Sequence, residues 1–536
     1  MPADLVGRSK SGAIASHPLS VAACLPARPP GTDRPSSRPG PYANAVPGAR
    51  GGRHDEAESR SKPASIQEAP SIQEDVIGQA WAALVSDGSR AQRKQPVPVE
   101  VTGNPGQLRS RFAVEEIAVA GVGVALLAAA ALSEQRGTAV GAVRLDREHV
   151  AGAVRSERFF RSGGRTAETG FAPLSRFWTA SDGWVRTHAN YPWHRRALVE
   201  TLGTSEDEDA VAAAMAALSA EDVERRVFAA GGIATAVRTS DVWHAHPQGR
   251  AVAAEPLIGH RMAGDGAPRR RPPAGLPMTG VRVLDLTRVI AGPVCTRFLA
   301  ALGAEVLRVD PPGHLDMAAG AVADSLLGKR SAFVDLDSAA GAATVHDLLG
   351  QADVVVSGYR PGALDRFGIG EESLAARHPG VVVVYLDAWG HSGPWAGRRG
   401  FDSVVQAPTG IATGESLTGD EPGVLPCQIL DHATGYLSAA AVLDGLWRQG
   451  TEGGTQVRRL SLARTALWLT AQGGRSSHDA PLNAPGPDGP GWLVELDSAH
   501  GPVTAVSPPG NLGGEPLLWP VPLTAYGADP PTWHSA

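Results

Sequence analysis

The stretch from Val281 to Val309 reads VRVLDLTRVIAGPVCTRFLAALGAEVLRV and carries the pattern of one β-α-β unit. Residues 281–286 form an apolar run of strand length, and residues 305–309 form a second one. Between them lie a loop at 287–293 and a short helix at 294–302. Two strands joined by a crossover helix run parallel, so this stretch predicts a parallel sheet with helices packed on it.

The same alternation continues toward the C terminus and predicts a doubly wound, Rossmann-like α/β domain. The further predicted strands are 331–334, 353–356 and 381–386, and the helices between them are 339–349 and 371–378. Ligands of such sheets bind beyond the carboxyl ends of the strands. We therefore expect one binding rim, built from the loops 287–293, 310–316, 357–362 and 387–400.

The rim sequences indicate which class of ligand to expect. The first loop, TRVIAGP at 287–293, lacks the G-x-G-x-x-G pattern of dinucleotide enzymes, and the chain has no G-x-x-x-x-G-K-[ST] phosphate loop. The rim is instead rich in cationic side chains, which suit a ligand with several phosphates. These candidates are Arg288, Lys329, Arg330, Arg360, Arg366, Arg398 and Arg399.

Four regions precede this domain, and the first two are the following. Residues 1–74 are rich in Pro, Arg, Ser and Gly, which predicts a disordered leader. Residues 75–165 hold an Ala-rich helix followed by a strand, the order that recurs at 433–462. We interpret residues 75–165 as a degenerate half-copy of the later domain, and the alternative is two unrelated Ala-rich helices that each precede a strand.

Residues 166–262 are predicted to form a smaller α+β domain. A hairpin is expected at 177–189, where Asp182-Gly183 forms the turn, and amphipathic helices are expected at 200–218 and 220–230. Residues 263–277 have the Gly and Pro content of a linker, and residues 278–536 then form the predicted catalytic α/β domain.

Composition excludes several classes of protein. The formal net charge of -6 over 536 residues provides no broad basic surface for nucleic acid. Cys24, Cys295 and Cys427 are far apart, so we expect neither a disulfide framework nor a metal site, and a cytoplasmic location fits. The apolar run 117–133 is shorter than a bilayer span and is predicted to be a buried helix, so no membrane partner is expected.

Residues 280–469 resemble the family III CoA transferases, which include formyl-CoA, carnitine and bile-acid CoA transferases. Several separated strings carry this resemblance. They are GVRVLDLTRVIAGP at 280–293, LGAEVLRVD at 302–310, GKRS at 328–331, RPGALDRFG at 360–368, WGHSGP at 389–394 and LDHATG at 430–435.

The resemblance implies transfer of CoA between an acyl-CoA thioester and a carboxylic acid, and it implies that Asp431 is the covalent nucleophile. A structural alternative for Asp431 is an N-cap of the following helix, which was expected to begin near Ala433. CoA is then a substrate, and no tightly bound cofactor is expected. The residues that the resemblance assigns to CoA binding are Val289, Ile290, Ala291, Lys329, Arg330, Tyr359, Arg360, Arg366 and Arg399.

Some residues depart from the family pattern and keep two other functions open. Ile290 replaces the glutamine of the formyl-CoA transferases, so their substrate is not implied. Related racemases of 2-methylacyl-CoA use a histidine base where this chain has Phe401, within Gly400-Phe401-Asp402. A racemase and a catalytically silent CoA-binding paralogue are the alternatives.

The order of the regions also departs from the family pattern. The small domain precedes the catalytic half, and Ile117 stands in the first copy where Asp431 stands in the second. Ser162-Gly163-Gly164 is a shortened candidate for the family's glycine-rich loop. Family members form interlocked dimers, so the sequence allows either a homodimer or one chain whose two half-copies close on each other.

Overall fold

The computed structural model describes residues 72–86, 93–166, 170–313, 319–473, 491–499 and 501–534. The predicted leader lies outside these residues except for 72–74, and Cys24 lies outside them as well. The helices in the described part are α1 (Ile72–Val85), α2 (Val114–Gln135), α3 (Arg147–Ala153), α4 (Ser156–Phe159), α5 (Pro192–Leu202), α6 (Glu208–Ala216), α7 (Ala220–Ala229), α8 (Ser240–Ala245), α9 (Pro247–Ala254), α10 (Ala291–Ala301), α11 (Ala319–Ser325), α12 (Ala339–Leu349), α13 (Glu371–Arg377), α14 (Asp402–Val405), α15 (Ile411–Gly414), α16 (Ile429–Thr451) and α17 (Leu462–Ala471). A 3-10 turn spans Asp365–Phe367.

The strands belong to four sheets in the described residues. They are β1 (Val99–Thr102), β2 (Val143–Asp146), β3 (Arg161–Ser162), β4 (Arg165–Thr166), β5 (Phe177–Ala180), β6 (Gly183–Thr187), β7 (Ala234–Ala236), β8 (Gly259–Ala263), β9 (Arg282–Leu286), β10 (Glu305–Asp310), β11 (Arg330–Phe333), β12 (Val354–Ser357), β13 (Val382–Asp387), β14 (Thr455–Ser461), β15 (Leu493–Leu496) and β16 (Val503–Val506).

The largest sheet has seven strands in the order β11-β10-β9-β12-β13-β14-β8. Strands β9 to β14 pair in parallel, and Leu284 of β9 lies between Leu307 of β10 and Val355 of β12. The valine runs of β12 and β13 are fully buried, as expected for strands covered on both faces. The sequence prediction of an α/β fold is therefore confirmed.

Strand β8 makes this sheet mixed, which corrects the expectation of a purely parallel one. It pairs antiparallel with β14, and Arg261 lies opposite Val457. The predicted boundary between the small domain and the linker, at 262–263, falls inside this strand. A strand from the preceding region thus forms one edge of the sheet. The sequence pattern around β9 did not predict this strand.

Helices α2 and α16 pack against each other in the centre of the molecule. Residues 114–133 of α2 are all buried, which confirms a buried helix. Of the described helices, α2 alone is long and apolar enough to cross a membrane, and its apolar window is wholly enclosed by the fold. Gly435 of α16 permits a close approach to α10, because a Cβ there would lie 2.6 Å from the Ala291 carbonyl oxygen.

The first region repeats the order of elements found at the end of the large sheet. Strand β1, helix α2, parallel strand β2 and helix α3 occur in this order, and β13, α16, β14 and α17 occur in the same order with the short helices α14 and α15 inserted after β13. Gly121 of α2 faces Ala433 and Tyr436 of α16. This order supports the interpretation of residues 75–165 as a half-copy, which stays a prediction.

The smaller α+β region contains the antiparallel sheet β5-β6-β7. The predicted hairpin is confirmed, since Ala180 pairs with Gly183 across its turn. The helix predicted at 200–218 is wrong. Helix α5 ends at Leu202 because Gly203 adopts a left-handed φ of 65°, and α6 starts anew after Asp207, whose side chain caps it.

The C-terminal segment returns to the first region. Strands β15 and β16 form one sheet with β3 and β4, and Val503 of β16 pairs with Ser162 of β3. Strand β16 therefore pairs with the N-terminal region and β15 pairs with β16, although the sequence assigned both segments to the catalytic domain. Gly163 and Gly164 form the turn between β3 and β4, with φ values of 56° and 74°.

Candidate functional site

Asp431 is the third residue of helix α16, which begins at Ile429 and not near Ala433. Gln428 occupies the N-cap position, so the interpretation of Asp431 as the helix cap is wrong. The residue is 6% exposed. Its side-chain carboxyl accepts no hydrogen bond from any residue that the structure describes, which distinguishes it from a capping group.

The start of α16 is capped from outside by Asp402, the first residue of α14. The Asp431 backbone N–H donates to Asp402 Oδ2 at 3.0 Å, and Gln406 Nε2 donates to Asp402 Oδ1 at 2.5 Å. Burial raises the pKa of Asp402 to about 6, and these hydrogen bonds act in the opposite direction. The buried carboxyl group of Asp402 thus lies at the backbone of Asp431.

The pKa of Asp431 is raised well above its usual range. Burial is the main cause, and the negative charges of Asp402 and Glu157 add to it. A carboxylate that has lost its water shell and has no hydrogen-bond donors is a stronger nucleophile than one in water.

Glu157, on α4 in the first region, was not found from the sequence. Its Oε2 lies 3.4 Å from Nε2 of His432, and His432 directly follows Asp431 in the chain. Burial acts to raise the pKa of Glu157, but the His432 ring, the backbone N–H of Glu157 and the charge of Arg158 together outweigh it and lower this pKa. The fold brings Glu157 to the site from a distant part of the chain. No sequence motif around Glu157 indicated a place in the site.

The loop between β9 and α10 holds three of the residues assigned to CoA. Val289 has a φ of 71°, an uncommon and strained conformation for a β-branched residue. Ile290 is the N-cap of α10 and Ala291 its first residue, so the helix begins within the predicted loop. Because Ala291 lies against Gly435, this loop is one helical turn from Asp431.

Lys329 supports this loop from below. Its Nζ donates to Asp285 Oδ2 at 3.0 Å and to the Pro293 carbonyl oxygen at 3.1 Å, and its side chain has no exposed surface. Burial lowers its pKa to about 8, with the Asp285 charge opposing this. The ammonium group does not face solvent in this structure, so a contact with CoA stays a prediction.

Arg330 lies at the amino ends of the parallel strands, whereas the expected rim lies at their carboxyl ends. It is the first residue of β11, and Glu305 is the first residue of β10. The Arg330 guanidinium donates to Glu305 Oε1 at 2.9 Å. It also donates to the Thr532 carbonyl oxygen at 2.7 Å. The prediction that Arg330 belongs to the rim is wrong, because the strand begins at this residue and the rim lies at the strand ends.

Arg360 and Arg399 do lie on the rim, in the loops that follow β12 and β13. Both are exposed, and neither has a carboxylate partner within the described ranges. Partial burial lowers the pKa of Arg399, and the charge of Arg360 lowers it further, as expected for two neighbouring guanidinium groups. Two adjacent cations without an acid between them suit an anionic ligand.

The other candidates on the rim are already engaged. Tyr359 packs partly buried against the apolar cluster under the sheet, while Arg366 pairs with Asp337 at 3.0 Å on the exposed surface. The guanidinium of Arg398 lies 4.4 Å from the ring of Phe228, and that of Arg288 lies 3.5 Å from Asp310 Oδ1. No three His, Cys, Asp or Glu side chains in the described part are close enough to hold a metal ion.

Phe401, where the racemases have a base, is covered by an aromatic ring from the small region. His188 stacks on it with 3.8 Å between ring centroids and 15° between ring planes. Burial lowers the pKa of His188 to about 3, so this ring is neutral at physiological pH. The residue that stands in place of the racemase base is therefore packed against a neutral aromatic ring.

Comparisons with known proteins find one matching family, CoA-transferase family III, over residues 278–489. A probable fatty acyl-CoA transferase of Mycobacterium tuberculosis is 33% identical over 230 residues, which is 39% of this chain and 58% of the relative. A succinyl-CoA–D-citramalate CoA-transferase of Chloroflexus aurantiacus is 32% identical over 211 residues, 37% of this chain and 52% of that protein.

Among solved structures, an orthorhombic crystal form of the Mycobacterium tuberculosis protein matches 37% of this chain and 56% of its own, at 35% identity and a TM-score of 0.35. This chain thus spans about half the length of the relatives it matches. The family match covers the strings at 280–293, 302–310, 328–331, 360–368, 389–394 and 430–435. Residues 278–489, with Asp431 at the start of their longest helix, match CoA-transferase family III, the family that the sequence resembles.

Proposed function

We propose that the protein transfers CoA between an acyl-CoA thioester and a carboxylic acid, with Asp431 as the covalent nucleophile. One observation carries the proposal. Asp431 places a buried carboxyl without hydrogen bonds at a helix start, within the region that matches the transferase family. A structural carboxyl in that position would be hydrogen-bonded, as Asp402 is.

The reaction proceeds in four balanced steps. An Asp431 oxygen attacks the thioester carbonyl, and the C–S bond breaks to give a mixed anhydride and CoA thiolate. The thiolate attacks the aspartyl carbonyl, which releases the donor acid and leaves an aspartyl thioester. The carboxylate of the second acid attacks this thioester and expels CoA thiolate, which gives a new anhydride. The thiolate then attacks the carbonyl carbon of the second acid, and cleavage of the anhydride C–O bond forms the new acyl-CoA and frees the Asp431 carboxylate.

The geometry of the large sheet supports CoA binding at the rim. Numbered from β9, the six parallel strands have the order 3-2-1-4-5-6 of doubly wound dinucleotide-binding sheets. The loop at 289–291 lies beside the central strand, where that order reverses, while Arg360 lies on the next loop along. We propose that CoA phosphates bind Arg360 and Arg399 and that the thioester reaches the 289–291 loop.

Replacement of Arg399 by glutamine should raise KM for acyl-CoA ~10-fold or more, because a charge-assisted hydrogen bond to phosphate is lost. Arg360→Gln should have a similar effect. Arg225→Gln is the matched control, since this exposed arginine on α7 pairs only with Asp222 of its own helix. Steady-state kinetics with a panel of CoA thioesters gives the values, and equal KM in all variants would remove these residues from the CoA site.

Trapping of the covalent intermediate tests the proposal directly. The full chain is incubated with a CoA thioester, treated with hydroxylamine or borohydride and mapped by mass spectrometry. We expect the modification at Asp431. Solvent deuterium at the α-carbon without a modified residue would favour the racemase, and neither signal would favour a silent CoA-binding paralogue.

The same proposal includes the remaining parts of the chain. Residues 75–165 would act as a scaffold that covers α16 with α2 and supplies Glu157. We further propose a cytoplasmic protein, with acyl-CoA and carboxylic acids as its substrates. We also propose that two copies of the chain form a homodimer. Sedimentation of the purified chain tests this, with the mass of two chains as the expected result.

A further inference from the structure

Arg186, on β6 of the small region, is a buried cation without an acid bonded to it. The residue is 5% exposed, and its guanidinium carbon lies 4.8 Å from the ring of Phe171 and 5.1 Å from that of Phe177. No described residue forms a hydrogen bond or ion pair with its side chain, and Nε is buried without a partner. An enclosed guanidinium in this state is costly, and such groups call for an explanation such as a ligand.

His188, two residues after Arg186, and His194, near the ring of Phe401, also have unused hydrogen-bonding groups. His188 Nδ1 and both ring nitrogens of His194 are buried without partners, and both residues are 3% exposed. Burial lowers the pKa of His188 to about 3 and that of His194 to about 4, so both rings are neutral. Each neutral ring offers one N–H donor and one acceptor.

This group faces the candidate nucleophile through Asp402. Thr235 Oγ1 donates to the Val404 carbonyl oxygen at 3.0 Å, which fixes the sheet β5-β6-β7 against α14. The charge of Asp402 acts on Arg186 and opposes the burial that lowers the arginine pKa to about 10. The two Asp402 oxygens are already bonded to Gln406 and to the Asp431 backbone.

We propose that Arg186, His188 and His194 form a subsite for the carboxylate of the acid substrate, beside Asp431. The inference rests on the proposed function and extends it to the acid substrate. A guanidinium binds a carboxylate through two parallel hydrogen bonds, and imidazole N–H groups supply further donors. The uncovered part of the Phe401 ring, which His188 stacks on from one face, adds an apolar surface for the carbon skeleton.

Burial distinguishes this subsite from a phosphate site. The cations proposed for CoA, Arg360 and Arg399, are exposed, as a polyphosphate with bound water requires. Arg186 is packed against aromatic rings instead, and the two histidines are neutral, so Arg186 is the one cation among these three residues. The charge of the exposed Arg399 also acts on His194, so the subsite adjoins the proposed CoA site. One charge in a small aromatic enclosure matches one carboxylate.

Direct binding of probe carboxylates to the full chain tests the subsite without turnover. Succinate and benzoate are the probes, and their dissociation constants are measured by ligand-observed NMR for wild type, Arg186→Gln and Arg186→Lys. We expect Arg186→Gln to weaken binding of at least one probe ~10-fold or more, with CoA affinity within about twofold of wild type. Arg186→Lys should restore part of the affinity, because lysine keeps the charge but loses the bidentate geometry.

The matched control is Arg176→Gln, at the residue just before strand β5, where an exposed arginine pairs with Glu208. Equal probe binding by wild type and Arg186→Gln, or no binding by wild type, would overturn the subsite. A melting temperature that falls in Arg186→Gln without any change in binding would assign the arginine to packing alone. If Asp431 is not labelled by trapping while carboxylate binding still depends on Arg186, the transferase proposal fails and the subsite stands.

Discussion

Asp431→Asn should reduce CoA exchange by at least ~10³-fold while the chain still folds and binds CoA. The amide keeps the size of the carboxyl but cannot attack the thioester and form an anhydride. Initial rates of acyl exchange at saturating substrate measure the effect, and the covalent adduct should vanish with the rate. An Asp431→Asn variant with more than a tenth of the wild-type rate would contradict the mechanism.

The same substitution should stabilise the protein at neutral pH. The folded-state pKa of Asp431 is raised above its unfolded value, so ionisation of this carboxyl costs stability as pH rises through the folded pKa. We expect Asp431→Asn to be more stable than wild type by ~1–2 kcal/mol above that pKa. The difference should disappear below about pH 4, where the carboxyl is protonated in both states. Thermal unfolding at several pH values gives the comparison.

Asp444→Asn should destabilise the fold by ~3–5 kcal/mol, because three arginines converge on this one carboxylate. Arg93 and Arg458 each approach it at 2.5 Å, and Arg448 Nε donates to it at 3.0 Å. Asp444 and Arg458 are fully buried, and burial already lowers the pKa of Arg458 to about 10. A neutral amide would leave the buried guanidinium groups without an opposite charge.

The control for this prediction is Asp209→Asn, an exposed residue on α6 that has no ion pair in the described part of the chain. Midpoints of denaturant unfolding should fall sharply for Asp444→Asn and stay within ~0.5 kcal/mol of wild type for the control. A loss below ~1 kcal/mol at Asp444 would mean that the arginines are stabilised mainly by carbonyl groups, such as the Val85 oxygen bonded to Arg448.

Predictions that depended on nearby residues in the sequence were reliable. The valine runs of β12 and β13 and the helix at 339–349 were located to within one residue, because apolar periodicity and local turn residues define them. Asp431 was identified from the LDHATG string, and its burial without hydrogen bonds emerged only from the fold. Helix starts were less reliable. Helix α16 begins four residues before the expected position, since its cap is a side chain 29 residues earlier.

The sequence by itself determined the α/β class, the parallel strands around β9 and the candidate nucleophile, because each is encoded in a contiguous segment. Only the tertiary structure decided which charges surround that nucleophile. It placed Glu157 and Arg186, which come from earlier regions, near the start of α16. It also buried Lys329 and put Arg330 at the amino ends of the parallel strands. Charge and burial depend on contacts between distant segments, and residue type alone does not specify those contacts.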